Sequence, residues 1–325
     1  MRKVTLKDIA KELGVTVGTV SHVLNGVDDI SEATKERVLE AAKRMGYVTN
    51  LAASSLRSGK TGTVAVIVPD ISNPHIAHQI KLIEDSLRAS DYSVIILNTN
   101  EEDSEELEAV KFAYAKQVDG ILLCPAQKSR ESVDFLDKTG IPYLLIGRYF
   151  ASGVSDYVCA DDVKGGKIIG EYLVSCGAKR PIYVGAYKYI EASLNRYLGI
   201  KEAFASVGIL LPEESFVEIS PKTDKREDIA SLLEGRGEFD SVVAFSDILA
   251  FEILSYFKKN GIKDIPVCGF DAINRHLYLP FSYASVGMCG DGWAREATEA
   301  LLKKIDNSTK RVCKLIDVEL FTFNG

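Results

Sequence analysis

Polar and charged side chains suited to binding a small ligand follow several apolar runs in this chain of 325 residues. Arginine and carboxylate groups make paired hydrogen bonds to hydroxyl pairs or to carboxylates, and asparagine, serine and histidine add single bonds. A lone arginine or aspartate near a helix end is more often a cap or a surface ion pair. Their recurrence after successive apolar runs favours a shared binding site instead. The candidate ligand-binding residues are Asn73, His75, Arg148, Arg196, Ser246 and Asp271.

The remaining motifs do not support catalysis. His75 and His78 have the spacing of a metal-binding pair, but no third ligand is near in the sequence, so a pair on one helix face is favoured and no metal is expected. Segment 58–61, Ser-Gly-Lys-Thr, resembles the end of a phosphate-binding loop, yet Ser54 stands where the first glycine belongs and the apolar run follows the segment. The acidic stretch Glu101–Glu108 is interpreted as a solvated helix start. We therefore expect neither an enzyme nor a cofactor.

These candidate residues need a fold that brings the ends of the apolar runs together. Beyond residue 62, short apolar runs alternate with helical patterns, which is typical of parallel β-α-β units in a doubly wound sheet. The alternation begins anew after Asp161-Asp162, so two successive Rossmann-like lobes are predicted. In such sheets ligands bind beyond the carboxyl ends of the strands, and we expect the site between the lobes.

The pattern also predicts where the elements lie. Strands are predicted at 64–68, 93–97, 119–124, 143–146, 182–185, 216–219, 241–245, 265–269 and 283–286. Helices are predicted at 74–89, 104–116, 131–137, 164–175, 192–207, 226–233, 249–260 and 293–305. The first lobe is expected to comprise residues 62–160 and 290–310, and the second residues 161–289 with the apolar tail 312–323.

Residues 1–48 have the pattern of a small three-helix head. Thr5 begins the first helix in an arrangement that resembles a capping box, and Gly14 ends it. Thr16 can cap a second helix that ends at Asn25, and a third helix follows. Two short helices joined in this way form a helix-turn-helix, whose second helix can enter the major groove of DNA. A three-helix bundle without a role in DNA binding is the alternative.

Charge and side-chain size support the DNA-binding interpretation. Residues 1–60 hold 10 Lys and Arg against 7 Asp and Glu, whereas the rest of the chain holds 29 against 39. A basic head on an acidic body is typical of a nucleic-acid-reading domain fused to another domain. Small polar side chains facing outward allow close approach to phosphates and base edges. On the second helix these residues are Thr16, Gly18, Thr19, Ser21, His22 and Asn25.

Composition excludes several other classes of protein. The chain is 46% hydrophobic and 26% charged, which is ordinary for a globular protein of two or three domains. No apolar run approaches the roughly 18 residues of a membrane span, and no signal peptide is recognisable at the start. The six cysteines are far apart, so we expect reduced thiols and a cytoplasmic protein.

Five segments of the first 57 residues carry a more specific combination of residues. They are 5–10 (TLKDIA), 14–16 (GVT), 19–25 (TVSHVLN), 46–47 (GY) and 50–57 (NLAASSLR). Together they resemble the LacI/GalR family of bacterial transcription repressors. The resemblance implies an α/β protein with a helix-turn-helix head (1–48), a hinge helix and linker (49–61), and a core of two lobes of the periplasmic-binding-protein type (62–325).

The resemblance also implies roles for individual residues. Base-reading positions fall on Val17, Gly18 and His22, the last where arginine is usual. The leucine that wedges between central base pairs falls on Leu56, and Thr49 stands where a proline commonly precedes the hinge. The full set of DNA contacts implied is Thr5, Thr16, Val17, Gly18, Thr19, Ser21, His22, Asn25, Asn50, Ala53 and Leu56.

The hinge can also be argued physically. Residues 50–58 form about two helical turns, and isolated helices shorter than about 12–15 residues are marginal in water. Two copies packed over a minor groove would be stabilised by the DNA, and an inserted leucine would unstack a base step. A plain linker with an incidental leucine is the alternative.

The leading interpretation is a homodimeric transcription repressor. It would bind a pseudo-palindromic double-stranded DNA operator and a small carbohydrate-like effector, with no membrane involved. A sugar-binding protein of the same fold without a regulatory role is one alternative, but it leaves residues 1–60 unexplained. A sugar kinase or dehydrogenase with a helical appendage is another, but no phosphate-binding loop or complete dinucleotide motif is present.

The chemistry of the effector is inferred from charge. The resemblance places Asn73, Arg196, Ser246 and Asp271 where an effector's hydroxyls or charged group are bound. With Arg148 included, two guanidinium groups would be buried beside a single clear carboxylate. Burying them without anionic partners would be costly, so a sugar acid or phosphosugar is expected ahead of a neutral sugar.

Overall fold

The chain divides into two units, Met1–Thr61 and Gly62–Gly325. The computed structural model describes residues 4–24, 30–48, 59–152, 155–222, 229–233, 238–277 and 280–323. The predicted DNA contacts at Asn25, Asn50, Ala53 and Leu56 lie outside these residues, as does most of the predicted hinge. Among the helices in the described ranges, none is long and apolar enough to cross a membrane.

The first unit contains three helices, α1 (Leu6–Leu13), α2 (Val17–Leu24) and α3 (Glu32–Met45). Gly14 adopts φ 68°, a left-handed conformation that costs glycine little and turns the chain between α1 and α2. The helices enclose a small core of Ile9, Ala10, Val20, Val23, Val38, Ala41 and Ala42. The predicted three-helix head is confirmed.

The first lobe of the second unit is built on a six-stranded sheet in the order β11-β5-β4-β3-β1-β2, with every pair parallel. Its strands are β1 (Thr63–Val68), β2 (Ser93–Asn98), β3 (Gly120–Leu123), β4 (Tyr143–Ile146), β5 (Tyr157–Ala160) and β11 (Cys313–Ile316). Helices α4 (Pro74–Arg88), α5 (Asp103–Ala115) and α6 (Glu131–Thr139) connect the early strands. Side chains of β1 alternate between two hydrophobic clusters, because helices cover both faces of the sheet.

The second lobe is built on a sheet in the order β12-β10-β9-β8-β6-β7. Its strands are β6 (Pro181–Gly185), β7 (Phe216–Glu218), β8 (Ser241–Ala244), β9 (Val267–Phe270), β10 (Tyr283–Met288) and β12 (Val318–Phe323). The helices are α7 (Asp162–Ser175), α8 (Glu191–Ser206), α9 (Ile229–Leu233) and α10 (Asp247–Lys259). All pairs are parallel except β10 with β12. The predicted pair of doubly wound lobes is confirmed.

The chain crosses between the lobes more than once. After β10, helix α11 (Gly292–Ile305) packs Trp293 and Leu301 into the core of the first lobe. The tail departs from the prediction that it belongs to the second lobe, because β11 pairs with β5 in the first sheet and only β12 joins the second. The strand β5 was not predicted, since only Val158 and Cys159 are buried and so short a run shows no period.

Helices α7 and α8 approach each other more closely than side chains would allow. A Cβ atom at Gly166 would lie 1.9 Å from the carbonyl oxygen of Arg196, and one at Gly199 would lie 2.0 Å from that of Val163. Glycine at both positions therefore lets the two backbones touch. This contact fixes the position of Arg196 on α8 relative to α7.

Candidate functional site

Local hydrogen bonds at the helix starts shape the predicted DNA-binding surface of the head. The Thr5 N–H and hydroxyl donate to the Asp8 carboxylate at 2.8 and 2.7 Å, and the Thr19 N–H donates to the Thr16 hydroxyl at 3.0 Å. These bonds satisfy backbone donors that a helix start leaves free. They begin α1 and α2 at the residues predicted from the sequence.

Most of the predicted contacts on α2 face outward. Val17 is 39% exposed, Gly18 and His22 are exposed, and Thr19 is half-buried. Ser21 differs, because it is only 8% exposed on the side that carries Val20 and Val23. The expectation that Ser21 faces outward is wrong, because the neighbouring helices bury a wider face of α2 than the spacing of Val20 and Val23 indicates.

A cavity of about 250 Å³ lies between the carboxyl ends of the two sheets in the second unit. This volume is close to the lower end of the range for small-molecule sites, about 300–1,000 Å³. The cavity is lined by all six predicted ligand-binding residues, namely Asn73, His75, Arg148, Arg196, Ser246 and Asp271. The strand-end argument therefore located a real concavity, and the roles of the six residues in binding remain proposals.

Arg148 is buried in a salt bridge on the first lobe. Its guanidinium donates to both carboxylate oxygens of Glu101 at 2.7 and 2.8 Å, and to the carbonyl oxygen of Pro125 at 3.2 Å. Burial opposes the charged form, but the attraction of Glu101 outweighs it and raises the pKa of Arg148. The charge of Arg148 is already neutralised before any ligand binds.

Arg196 is held in the same way on the second lobe. Its Nε donates to Asp162 at 2.6 Å and its Nη1 donates to the carbonyl oxygen of Phe245 at 2.5 Å. The guanidinium carbon lies 4.4 Å from the ring centre of Phe270 and 4.9 Å from that of Phe245. Asp162 lies two residues beyond β5, and because this strand was not predicted, the strand-end rule that identified Arg148 did not point to it.

These two salt bridges overturn the premise of the charge argument. The expectation of an acidic ligand assumed that Arg148 and Arg196 have no anionic partners in the protein. In the structure Glu101 pairs with Arg148, and Asp162 pairs with Arg196. The interpretation of Glu101–Glu108 as a solvated helix start holds for the exposed Glu105 and Glu108, but it is wrong for Glu101, which is paired, and for Glu106, which is 2% exposed. The Glu106 carboxylate accepts a hydrogen bond from the Ala126 N–H at 2.6 Å. An excess of positive charge in the cavity therefore cannot be used to argue for an acidic ligand.

His75 and Asp271 face each other across the cavity from different lobes. Asn73 caps α4 by accepting the His75 N–H at 2.9 Å, which fixes the start of the helix. The His75 ring lies 2.7 Å from the Gln79 amide and 3.8 Å from the Asp271 carboxylate. Burial lowers the pKa of His75 more than Asp271 raises it, so the ring is neutral at pH 7. A neutral imidazole can exchange hydrogen bonds with a ligand hydroxyl.

The backbone at Asp271 is strained, with φ 102°, and Ala272 follows at φ 49°. A buried network supports this turn. Asp247, fully buried, accepts hydrogen bonds from the Ile273 N–H at 2.7 Å, the Tyr283 hydroxyl at 3.0 Å and the Ser285 hydroxyl at 2.7 Å. Asp247 is thus a positioning residue for Asp271, and its neighbour Ser246 caps α10.

Aromatic side chains near the cavity fall into two groups. Phe245 and Trp293 line the cavity. Tyr283 packs instead with Phe251 and Ile273 in a separate cluster. His75 and His78 lie in different places. His75 lines the cavity, whereas His78 stacks on His276 with ring centres 3.7 Å apart.

Comparison with protein families assigns both units. Residues 5–50 match the family described as bacterial regulatory proteins, lacI family. Residues 61–292 match the family described as periplasmic binding proteins and sugar binding domain of LacI family. The regulator RegA of Clostridium saccharobutylicum is 30% identical over 272 residues, which cover 82% of each chain. The regulator MalR of Streptococcus pneumoniae serotype 4 is 28% identical over 325 aligned positions, which cover 95% of this chain and 96% of MalR.

Solved structures show the same fold. The complex of the transcriptional regulator CelR with cellobiose aligns with a TM-score of 0.72 and 26% identity over 99% of this chain and 100% of CelR. The lac repressor dimer bound to operator aligns with a TM-score of 0.85 and 18% identity over 98% of both chains. The chain belongs to the LacI family of bacterial regulatory proteins, a DNA-binding transcription regulator with a sugar-binding domain and not an enzyme.

Proposed function

We propose that this regulator is a homodimeric repressor that binds a neutral carbohydrate between its lobes, and that binding changes its affinity for a pseudo-palindromic operator. A neutral carbohydrate replaces the sugar acid or phosphosugar expected from sequence. A two-fold dimer matches a near-palindromic site, since each head would read one half-site. Closure of the lobes around the ligand would couple the cavity to the heads.

The charge of the cavity carries the proposal for a neutral ligand. Among the residues that line it, five carboxylates face two guanidinium groups, and both guanidinium groups are paired. The carboxylates are Asp70, Glu101, Asp161, Asp162 and Asp271. An anionic ligand would add repulsion to this set, whereas sugar hydroxyls donate to carboxylates at no charge cost.

The remaining lining residues suit a sugar. Asp271 and Asn73 supply acceptors for hydroxyl protons, and neutral His75 supplies either a donor or an acceptor. The rings of Phe245 and Trp293 supply apolar surface for the carbon face of a sugar ring. The similar CelR structure was solved as a complex with cellobiose, a neutral disaccharide.

The DNA side of the proposal rests on the exposed face of the head. Val17, Gly18 and His22 are exposed at the positions where the family resemblance predicts base reading. Ser21 is no longer included, because it is buried. The proposed contacts within the described residues are Thr5, Thr16, Val17, Gly18, Thr19 and His22. The contacts at Asn25, Asn50, Ala53 and Leu56 stay predictions from the sequence.

A paired ligand screen tests the proposal. Full-length protein is tested by thermal shift against neutral mono- and disaccharides, including cellobiose, each beside its sugar acid and sugar phosphate. A neutral sugar should raise the unfolding midpoint by mass action, while its acidic counterparts should not. Hits are then added to an operator-binding assay, where the neutral sugar should change DNA affinity. Binding of acidic sugars alone would contradict the neutral ligand, and tight binding without any change in DNA affinity would contradict the coupling.

A further inference from the structure

Three side chains of types that ligate metals meet at the junction of the two lobes, outside the residues that line the cavity. His78 lies on α4 of the first lobe, and His276 follows β9 in the second. Asp291 lies just before α11, where the chain crosses back to the first lobe. One ligand atom from each of the three lies within 4.8 Å of the other two. The fold therefore gives His78 two partners, His276 and Asp291, that differ from the His75 suggested by spacing in the sequence.

The two imidazoles of this group lie side by side. Their rings stack with centres 3.7 Å apart and planes 26° apart. Metal ligation needs a neutral imidazole with a free lone pair.

One nitrogen of this group is left without a partner. The Nε2 atom of His78 is buried and makes no hydrogen bond within the described residues. A buried polar atom without a partner costs about 1–3 kcal/mol, and such atoms call for a specific explanation. A metal ion bound at this nitrogen would satisfy it.

We propose that His78, His276 and Asp291 bind one divalent transition-metal ion of the zinc class. Two imidazoles and one carboxylate are a ligand set that zinc uses when a fourth position is left for water or another ligand. In a tetrahedral site with bond lengths of about 2.0–2.2 Å, the ligand atoms lie about 3.3 Å apart. The ligand atoms of the three side chains lie within 4.8 Å of one another, so they must move slightly closer to bind one ion. The side chains of His276 and Asp291 are exposed, and they can rotate to do so.

Charged side chains near this site affect how favourably it can bind a cation. Arg275 lies near both imidazoles and Lys81 near that of His78, and Asp291 is the carboxylate that acts on both. The Arg275 guanidinium is engaged elsewhere, since it donates to the Met288 carbonyl oxygen at 3.1 Å and stacks on the Phe321 ring at 4.7 Å. The Asp291 carboxylate thus offsets part of the charge of a bound divalent ion.

Such an ion would tie the lobes together. It takes one ligand from each lobe and a third from the crossover, so it would stabilise the arrangement of lobes in which the three ligands meet. Its binding would also raise the unfolding midpoint of the protein.

Metal titration of the full-length protein tests this site. The protein is stripped with a chelator, kept reduced, and titrated with Zn²⁺ in competition with a chromophoric chelator, while Co²⁺ serves as a spectroscopic probe. We expect one high-affinity ion per chain and a Co²⁺ spectrum of nitrogen and oxygen ligation without sulfur charge-transfer bands. His276→Ala and Asp291→Asn should each weaken Zn²⁺ binding by at least about tenfold. His22→Ala and Cys289→Ser are controls and should bind as the wild type does.

Three outcomes would overturn the proposal. One is the absence of stoichiometric Zn²⁺ binding by the wild type, and another is unchanged affinity in His276→Ala. The third is loss of binding in Cys289→Ser together with sulfur charge-transfer bands, which would move the site to the exposed thiol near Asp291. Both variants in the site change exposed side chains, so far-UV circular dichroism should show an intact fold.

Discussion

Arg196 links three parts of the cavity through one guanidinium group. It pairs with Asp162, donates to the carbonyl oxygen of Phe245, and packs against the rings of Phe245 and Phe270. A guanidinium can do this because its planar fork donates in several directions and its faces stack on aromatic rings. The residue therefore positions the cavity wall as much as it supplies charge.

Arg196→Lys separates these two contributions. Lysine keeps the charge that pairs with Asp162 but loses the fork and the stacking, so effector affinity should fall about tenfold or more while the fold is retained. Calorimetry with the neutral sugar identified by screening measures this. Arg180→Lys is the control, because the salt bridge of Arg180 with Glu238 is solvent-exposed and should contribute little. Equal losses in both variants would contradict a specific role for Arg196.

Glu106 makes stability depend on pH. Burial raises the pKa of its carboxyl from 4.5 to about 7, so between these values the folded protein holds a proton that the unfolded chain releases. The free energy of unfolding should therefore fall as pH rises through this window, by at most about 3 kcal/mol from Glu106. Glu191 and Asp247, with pKa values raised by burial to about 7 and about 8, act in the same direction.

Glu106→Gln should flatten this dependence, because the amide imitates the protonated carboxyl at every pH. The measurement is the thermal unfolding midpoint at about pH 5 and about pH 8, on either side of the shifted value. Glu108→Gln on the same helix is the control, since Glu108 is 74% exposed in a surface salt bridge with Lys111. A profile for Glu106→Gln as steep as that of the control would show that Glu106 is not the titrating group.

The close contact between helices α7 and α8 aligns the part of the cavity wall that the second lobe supplies. Gly199→Ala would place a Cβ atom 2.0 Å from the carbonyl oxygen of Val163 and 2.6 Å from the backbone nitrogen of Lys167. The helices must separate, at a cost of about 1–3 kcal/mol, and the pairing of Asp162 with Arg196 across them should loosen. We expect a lower unfolding midpoint and weaker effector binding.

Gly292→Ala is the matched control, because a Cβ atom there has no neighbour within 4 Å. The same two measurements, thermal unfolding and calorimetry, should show it close to the wild type. A wild-type midpoint in Gly199→Ala would mean that the helices tolerate a wider spacing than the structure implies.

On α2, His22 is exposed at a position where the family resemblance predicts base reading, usually by arginine. Arginine pairs bidentately with guanine and histidine does not, so His22→Arg should change the preferred base at one symmetric position of the operator. Selection from a random DNA library measures this. Glu40→Gln is the control, because it removes one negative charge from the head at an exposed position of α3. It should strengthen DNA binding without changing the selected sequence. Identical motifs for His22→Arg and the wild type would contradict a base contact by His22.

At the scale of the whole molecule, the division at Thr61 and Gly62 predicts separable activities. Both sheets and the cavity lie within residues 62–325, so this fragment should fold and bind the neutral sugar with the affinity of the full chain. It should have lost operator binding, which in the full chain should weaken steeply with salt because phosphate contacts release counterions. Calorimetry and a salt series of DNA-binding assays test both parts. A fragment that folds but no longer binds the sugar would show that the head contributes to the effector site.

Much of the architecture could be predicted from the sequence because its signals are local. The burial of β1 on both faces follows from its apolar run of five residues, Val64–Val68, and Thr16 caps α2 two residues after Gly14, as predicted. Five of the six cavity residues were found because parallel strands all end at one edge of their sheet, and Arg196 was found on the helix that follows β6. Ser21 was placed wrongly because a helical period alone does not show how far the neighbouring helices reach.

The sequence by itself determined the succession of most strands and helices along the chain, the two units and the identity of the residues at the predicted strand ends. Only the tertiary structure decided the electrostatics of the site. Glu101 pairs with Arg148 across 47 positions of the chain, and Asp162 with Arg196 across 34. Periodicity and capping act within a few residues, whereas the charge at a buried site depends on which distant segments the sheets and crossovers bring within hydrogen-bonding distance. For the same reason, His276 and Asp291 could be identified as partners of His78 only in the folded chain.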